Sequence, residues 1–310
     1  MSAPTTVTAS DVQRIVDVRA TDPASIARRW AERRQPANGL VGQNNGRLML
    51  IAADHPARGA LRAGENALAM GDRTELLDRM VRALSRPGVD GVLGTADVVE
   101  DLLLLGALEG KVVIGSMNRG GLAGTVFEMD DRYTGHDAAT IESFGFQGGK
   151  MLFRIDPNDP STVATMEATA RAVADLASRG LMAMVEPFIS GRGADGRVRN
   201  DLSTEAVVRS ATVAAGLAPT SAYTWLKLPV VDDMDTVLAA TTLPVLLLGG
   251  EVAADQEAQF AAWSKALTNP VVRGMVVGRS LLFPPTGTVE DAVDATVRMM
   301  APGGLGEMTA

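Results

Sequence analysis

Four ionisable side chains interrupt otherwise apolar strand-like runs. Asp54 closes the run 48–54, Lys150 lies in 149–154, Glu186 closes 181–186, and Lys227 lies in 223–228. Charge inside an apolar run is costly unless it is paired or used, so each of these positions needs an explanation. Of the 29 basic residues only Lys111, Lys150, Lys227 and Lys265 are lysine, so the chain makes its ordinary surface charge with arginine. A lysine within a strand is therefore not background here. Lys111, which follows Glu109-Gly110 at a strand start, shows that a lysine without chemistry also occurs.

Side chains alternate across a strand, and this fixes which residues share a face. In 223–228, Leu226 and Leu228 share one parity, while Lys227 goes with Tyr223 and Trp225. Glu186 goes with Met182 and Met184, Asp54 with Leu48, Leu50 and Ala52, and Lys150 opposes Met151, Phe153 and Ile155. If these strands belong to one barrel, two lysines and two carboxylates from four strands converge in its interior.

Such a set suits amine catalysis. A lysine free in water titrates near 10.4, and to be neutral and nucleophilic near pH 7 to 8 it must fall by roughly 3 units, about 4 kcal/mol. Burial and a neighbouring cation both act in that direction, and Lys150 is placed to be that cation for Lys227. A neutral amine attacks a substrate carbonyl, water leaves, and the iminium draws electrons from the bond being broken. Glu186 suits the proton transfers to and from a substrate hydroxyl, and Asp54 the orientation of a hydroxyl or a proton shuttle. A buried structural salt bridge is the alternative for any one of the four residues taken singly.

The elements that position these residues follow from pattern. From residue 48 onward, short apolar runs alternate with longer amphipathic stretches, which is the signature of repeated βα units and a parallel sheet. Eight strands are placed at 48–54, 91–94, 112–117, 149–154, 181–186, 223–228, 245–249 and 274–278, with helices at 74–84, 162–178, 204–215, 256–266 and 289–300. That number of units predicts a (β/α)8 TIM barrel spanning 46–302, with a doubly wound open sheet as the alternative. An N-terminal helical extension covers 1–45, with helix starts at Ser10-Asp11 and Asp22-Pro23, and is expected to close the bottom of the barrel or join subunits into a homo-oligomer. Its basic run Arg28, Arg29, Arg33 and Arg34 is expected to be a solvated face, and 303–310 a short tail.

Glycine pairs follow the last two strands: Gly249-Gly250 before Glu251, and Gly278-Arg279 before Ser280. In barrels these turns commonly hold phosphate on backbone amides, although such pairs are also ordinary turns. Arg58, Arg154 and Arg192 are further candidates for an anionic group. Arg154 has Asp156 as an alternative partner and Arg192 a solvated loop. Trp225 is placed to stack on a sugar or to fill the core, and His136 to serve structure or lie at the surface.

Bulk composition excludes several functions. With 310 residues, 46% apolar, and a formal charge of −8, the chain has a core to bury and no broad basic face for nucleic acid or anionic lipid. The absence of cysteine removes disulfides, thiolate nucleophiles and cysteine-held zinc, and is in keeping with a reducing cytoplasmic setting. Two histidines, His55 and His136, supply a metal site poorly, so neither metal nor cofactor is expected. Neither a signal-peptide pattern nor a membrane-length apolar run is present.

The motifs resemble those of the class I, Schiff-base aldolases: the tagatose-bisphosphate, archaeal-type fructose-bisphosphate and deoxyribose-phosphate enzymes. Asp54-His55-Pro56-Ala57-Arg58-Gly59-Ala60-Leu61 resembles their Asp-Gln-Arg-Gly-Ala-Leu or Asp-His-Gly element, here longer. The segments 148–153, 185–188 and 226–229 are similar to the strands bearing the helper lysine, the glutamate and the imine-forming lysine, and Gly278-Arg279 to the phosphate-loop pair. The resemblance runs in order from about 48 to 283, while 190–197 has no counterpart. It implies Lys227 as imine former, Glu186 as acid/base, Lys150 as charged helper and Asp54 as polar partner, acting on a small sugar phosphate. Another imine-using or acyl-transfer enzyme on the same barrel, or a sugar-phosphate binder without turnover, would share these residues.

Overall fold

The computed structural model describes residues 3–253 and 255–301. Among them, nine strands follow the chain as β1 (Leu48–Ala53), β2 (Gly91–Gly94), β3 (Val112–Ser116), β4 (Gly148–Ile155), β5 (Met182–Arg192), β6 (Val198–Asn200), β7 (Thr224–Leu228), β8 (Val245–Leu248) and β9 (Val272–Val277). All but β6 are parallel. The order β4-β3-β2-β1-β9-β8-β7-β5 closes on itself through a β4–β5 pairing, so the sheet is a barrel with no free edge, the (β/α)8 architecture.

Alternation divides the strands as the sequence requires. Leu48, Leu50, Ala52, Ile114, Met184 and Leu246 fill the barrel interior. Met49, Ile51, Ala53, Val113, Leu226 and Leu228 meet the helices outside. Those helices are α3 (Arg73–Ser85), α4 (Ala96–Leu104), α5 (Ala138–Ser143), α6 (Ser161–Ser178), α7 (Thr204–Ala215), α8 (Met234–Ala239), α9 (Gln256–Leu267), α10 (Arg279–Leu282) and α11 (Val289–Met300). Several begin where a side chain caps the first turn: Asp72, Asp137, Ser203, Asp233 and Asp255 each accept a backbone N–H three residues on. Among the described residues no helix is long and apolar enough to cross a membrane.

The first segment forms α1 (Ala9–Thr21) and α2 (Ala24–Glu32). Helix α1 starts one turn's cap earlier than Ser10-Asp11 suggests, because Thr8 and Asp11 make a reciprocal capping box. Trp30 of α2 stacks on Phe144 at 5.7 Å and meets Phe146 edge-on at 4.7 Å, fastening the extension beneath β4. Arg33 departs from the expected solvated face. It is 3% exposed and donates to the carbonyls of Lys111 (2.8 Å), Gly145 (2.9 Å) and Leu108 (3.3 Å). Past it, Leu40 packs against the interior cluster.

Two further departures have physical reasons. Tyr223 is 42% exposed rather than interior, because β7 makes its first ladder pair at Thr224 and leaves the tyrosine below the rim. Strand β5 does not stop near Glu186. It runs on to Arg192 and turns back through Asp195 and Gly196 into β6, so the unassigned stretch is a hairpin above the barrel mouth. The expected tail at 303–310 lies outside the described residues.

Candidate active site

Strand ends bring the four charged residues together at the C-terminal side of the barrel. Lys227 is the penultimate residue of β7, Asp54 directly follows β1, Lys150 is the third residue of β4, and Glu186 lies midway along β5. In the β5–β7 register Val185 pairs with Leu226, which sets Glu186 beside Lys227, whereas Lys150 lies level with Met184, one inward residue deeper. All four are between 3% and 7% exposed, so solvent does little to screen them.

Their contacts form a line. Lys227 Nζ donates to Glu186 Oε1, and Lys150 Nζ pairs with Glu186 Oε2. Lys150 Nζ also reaches Asp54 Oδ2 at 3.1 Å. Asp54 Oδ2 in turn takes Arg119 Nη2 at 2.9 Å, while Arg119 Nη1 donates to the Asp54 carbonyl. The result is a chain of alternating charge, Lys227, Glu186, Lys150, Asp54, Arg119.

This alternation decides which forms are ionised. Burial pushes the Glu186 carboxyl up, but the combined pull of Lys150 and Lys227 holds it at about 2. Asp54 is likewise pushed up by burial and held well below the ordinary carboxylate range by Lys150 and Arg119. Burial lowers the Lys150 ammonium, against the opposing pull of Asp54 and Glu186. His55, next in the chain, is kept neutral: burial brings it down to about 3 despite Asp54 Oδ1 at 3.7 Å. Its Nδ1 has no hydrogen-bond partner among the described residues.

The glycine turns are also brought together. Ser280 Oγ donates to the carbonyls of Gly249 and Glu251, both at 3.2 Å, which ties the turn after β8 to the turn after β9. A Cβ on Gly278 would lie 2.5 Å from the Ala52 carbonyl, so the β9 turn sits against β1 only because that residue is glycine. Gly250 has φ +68°, a conformation that favours glycine for the same reason of missing Cβ. Arg279 projects from this corner with Glu251 at 3.2 Å.

Arg58 and Arg154 stand differently from expectation. Arg58 is buried, pairs with Asp131, and donates to the carbonyls of Gly121 (2.8 Å) and Asn118 (2.6 Å). Arg154 pairs with Glu128 at 3.0 Å rather than with Asp156, whose carboxylate accepts the Asn158 N–H. Both arginines thus fasten the long β3–α5 loop over the mouth, and neither presents a free guanidinium. Arg192 donates to the Val126 carbonyl at 2.7 Å and joins the β5–β6 hairpin to the same loop. Trp225 packs against the interior cluster. His136 is buried over Gly115 with Nδ1 3.3 Å from the Ser116 carbonyl, a structural placement.

Arg119 was not among the expected residues, and neither were its loop companions Glu128 and Asp131. Arg119 lies just past β3, in Met-Asn-Arg-Gly-Gly, where no alternation reveals direction. The one available signal was an arginine three residues beyond a strand end of a barrel. Leu152, Phe188 and Leu248 form a small apolar cluster from β4, β5 and β8. They occupy the inward positions two residues beyond Lys150, Glu186 and Leu246. Among the described residues no group of three or more His, Cys, Asp or Glu side chains is arranged to hold a metal ion.

Comparison with known proteins places this site in context. The model of the Cgl0159-like family matches residues 46–297. The crystal structure of Cgl0159 from Corynebacterium glutamicum is 50% identical, covers 95% of this chain and 98% of its own, and superposes with a TM-score of 0.91. A Schiff-base-forming fructose-1,6-bisphosphate aldolase, solved with reaction intermediates, covers 89% of this chain and 99% of its own at 18% identity, with a TM-score of 0.61. The fructose-bisphosphate aldolase from Slackia heliotrinireducens covers 84% of this chain and 83% of its own at 15% identity, with a TM-score of 0.63. No curated protein matches. The two aldolases share the barrel fold, while the family model and the Corynebacterium structure share most of the chain: the protein belongs to the Cgl0159-like family.

Proposed function

We propose that the protein is a metal-independent class I aldolase that cleaves or forms a phosphorylated ketose or deoxy sugar through a Schiff base on Lys227. The observation that carries this reading is one buried carboxylate, Glu186, shared between two lysines at the barrel mouth. A structural ion pair needs one lysine. A second lysine on the same carboxylate raises the cost of keeping both charged, and that is the condition under which an amine becomes a nucleophile.

The contacts assign the roles. Lys150 touches two carboxylates and Lys227, nearer the mouth, only one, which supports Lys227 as the amine that meets the substrate carbonyl. Lys227 passes a proton to Glu186 and its amine adds to the substrate carbonyl; Glu186 then returns that proton to the carbinolamine oxygen, which leaves as water. Glu186, again a carboxylate, then removes the proton from the hydroxyl on the far carbon of the bond to be broken. That bond's electrons flow to the iminium nitrogen, the aldehyde fragment departs, and protonation and hydrolysis of the enamine release the carbonyl product. Lys150 stays charged and holds Glu186 in place, while Asp54, fixed as an anion, holds Lys150.

The turns at Gly249-Gly250 and Gly278-Arg279 form the corner suited to the substrate's phosphate, with Arg279 beside them. Across the mouth from this corner Arg58 and Arg154 are committed to loop acids, and the strand wall there carries Leu152 and Phe188. This asymmetry favours substrates with a single phosphate over bisphosphates.

Borohydride reduction in the presence of a panel of substrates tests the reading. The panel comprises deoxyribose 5-phosphate, fructose and tagatose bisphosphates, a sulfonated sugar phosphate and a deoxy-keto acid phosphate. Mass spectrometry is expected to find a substrate-derived adduct on Lys227, with turnover insensitive to EDTA. Absence of an adduct with every member would overturn it.

A further inference from the structure

Among the described residues, the side-chain hydrogen bonds that the Asp54 carboxylate accepts all fall on one oxygen. Ser116 Oγ at 3.4 Å, Arg119 Nη2 at 2.9 Å and Lys150 Nζ at 3.1 Å meet Oδ2. The other oxygen, Oδ1, has His55 Nδ1 beside it at 3.7 Å. That separation is too long for a direct hydrogen bond, and Nδ1 is buried with no other partner among the described residues. A buried polar atom left unpaired is costly, so the working protein is expected to supply a partner.

The width and polarity of this gap specify what fits it. A single oxygen atom placed between Oδ1 and Nδ1 reaches each at about 2.8 Å, an ordinary hydrogen-bond length. His55 is neutral and carries one N–H, and the Asp54 anion beside Nδ1 draws that proton to Nδ1 rather than to Nε2. One end of the gap therefore accepts a hydrogen bond and the other donates one. A hydroxyl does both at once. A carbonyl or a carboxylate would set a lone pair against Oδ1, and a methylene would leave both ends unpaired. The His55 side chain is 28% exposed against 4% for Asp54, so the imidazole is the outer member of the pair.

Strand order indicates which hydroxyl this is. Around the barrel β1 lies four strands from β5 in either direction and next to β9. The Asp54–His55 gap therefore stands across the barrel from Glu186 and adjoins the turn at Gly278-Arg279. Glu186 serves the hydroxyl of the half that departs, so a hydroxyl reaching β1 belongs to the half that stays joined to Lys227. We propose that Asp54 Oδ1 and His55 Nδ1 form a hydroxyl-binding subsite that selects substrates bearing a hydroxyl on the carbon next to the imine, so that the retained half is a hydroxyketone rather than a simple deoxy fragment. The identity of that hydroxyl rests on the aldolase reading, whereas the subsite is a property of the resting protein.

The chain has two histidines, so nitrogen NMR of the full chain carrying isotope-labelled histidine shows two imidazoles, and His55→Asn identifies that of His55. The resting protein is expected to hold the Nδ1–H tautomer at His55. Dihydroxyacetone phosphate is expected to shift the Nδ1 signal further than hydroxyacetone phosphate, which differs only by the missing hydroxyl. In borohydride trapping, the wild type is expected to be half-labelled on Lys227 at an about tenfold lower concentration of the first ligand than of the second. His55→Ala brings the two concentrations within about twofold, while H55N, whose amide nitrogen takes the place of Nδ1, keeps the preference.

An Nε2–H tautomer in the resting protein would overturn the proposal, as would an equal response of Nδ1 to the two ligands, nil included. An undiminished preference in folded H55A would overturn it too. Should H55A fail to fold, the tautomer and the two-ligand comparison on the wild type decide alone. A hydroxyl-dependent shift at Nδ1 without any borohydride adduct would leave the subsite standing and sink the aldolase. Adducts with both ligands at equal concentrations, in wild type and H55A alike, would do the reverse.

Discussion

The barrel buries charge at both ends, but by different means. At the N-terminal end Arg33 donates to three carbonyls, Lys111 Nζ donates to the Val89 carbonyl, and Asp90 accepts the N–H groups of Met49 and Gln43. At the C-terminal end, side chains answer side chains, from Lys227 through Glu186, Lys150 and Asp54 to Arg119. A backbone partner cannot accept a second proton or give one up at ordinary pH, so the lower charges are fixed. A carboxylate lying between two lysines can exchange protons with both. The lower set therefore holds structure together, and the upper set is the one we propose for proton transfer.

The sharpest break in that comparison is Lys227→Ala, expected to abolish the borohydride adduct and lower turnover by about 10^4-fold or more while the fold is retained by circular dichroism. Glu186→Gln keeps the shape and removes the proton carrier, so kcat should fall by about 10^2- to 10^4-fold. A Glu186→Gln variant with unimpaired turnover would mean that the proton moves elsewhere. Arg33→Ala breaks the lower end instead. It strands three buried carbonyls and is expected to cost about 2 to 4 kcal/mol in denaturant melts, with trapping at Lys227 preserved at low temperature.

Acid titration of stability separates the ends more finely. Glu186 sits at about 2 in the fold against an ordinary 4.5, so its stabilisation is complete above about pH 5 and is lost as pH falls toward the folded value. Burial raises Asp90 above its ordinary value, so its contribution has the opposite sign: present in acid and lost as pH rises. Between about pH 5 and 3 the wild type should therefore lose stability more steeply than Glu186→Gln and less steeply than Asp90→Asn, as measured by urea midpoints. Smallest of all is Arg192→Ala on the hairpin, expected to alter turnover by no more than about twofold if its bond to the Val126 carbonyl only tethers a loop.

Much of the upper end was legible because a strand has a strict two-residue period. The inward direction of Lys150, Glu186 and Lys227 follows from flanking leucines and methionines whose burial leaves no choice of face. Arg119, Glu128 and Asp131 belong to a loop without period, and their partners are distant in sequence, so nothing local marks them as part of the same network. The same gap explains Arg58 and Arg154. Their position near the mouth was readable, whereas the acids that occupy them were not. Arg33 is hidden in the sequence for a related reason: beside three other arginines it reads as one more member of a wet face, but it caps the last turn of α2 and its guanidinium reaches the carbonyls of Leu108, Lys111 and Gly145.

The interior side chains below the charged line fill the barrel, as in a packed (β/α)8 core, so it is a blind well rather than a tunnel. Whatever reaches Lys227 enters and leaves through one opening, beneath a loop moored by Arg58 and Arg154. A reaction that splits one molecule into two must then discharge them in sequence through a shared doorway. In the proposed aldolase reading, the fragment still joined to Lys227 is the last to leave.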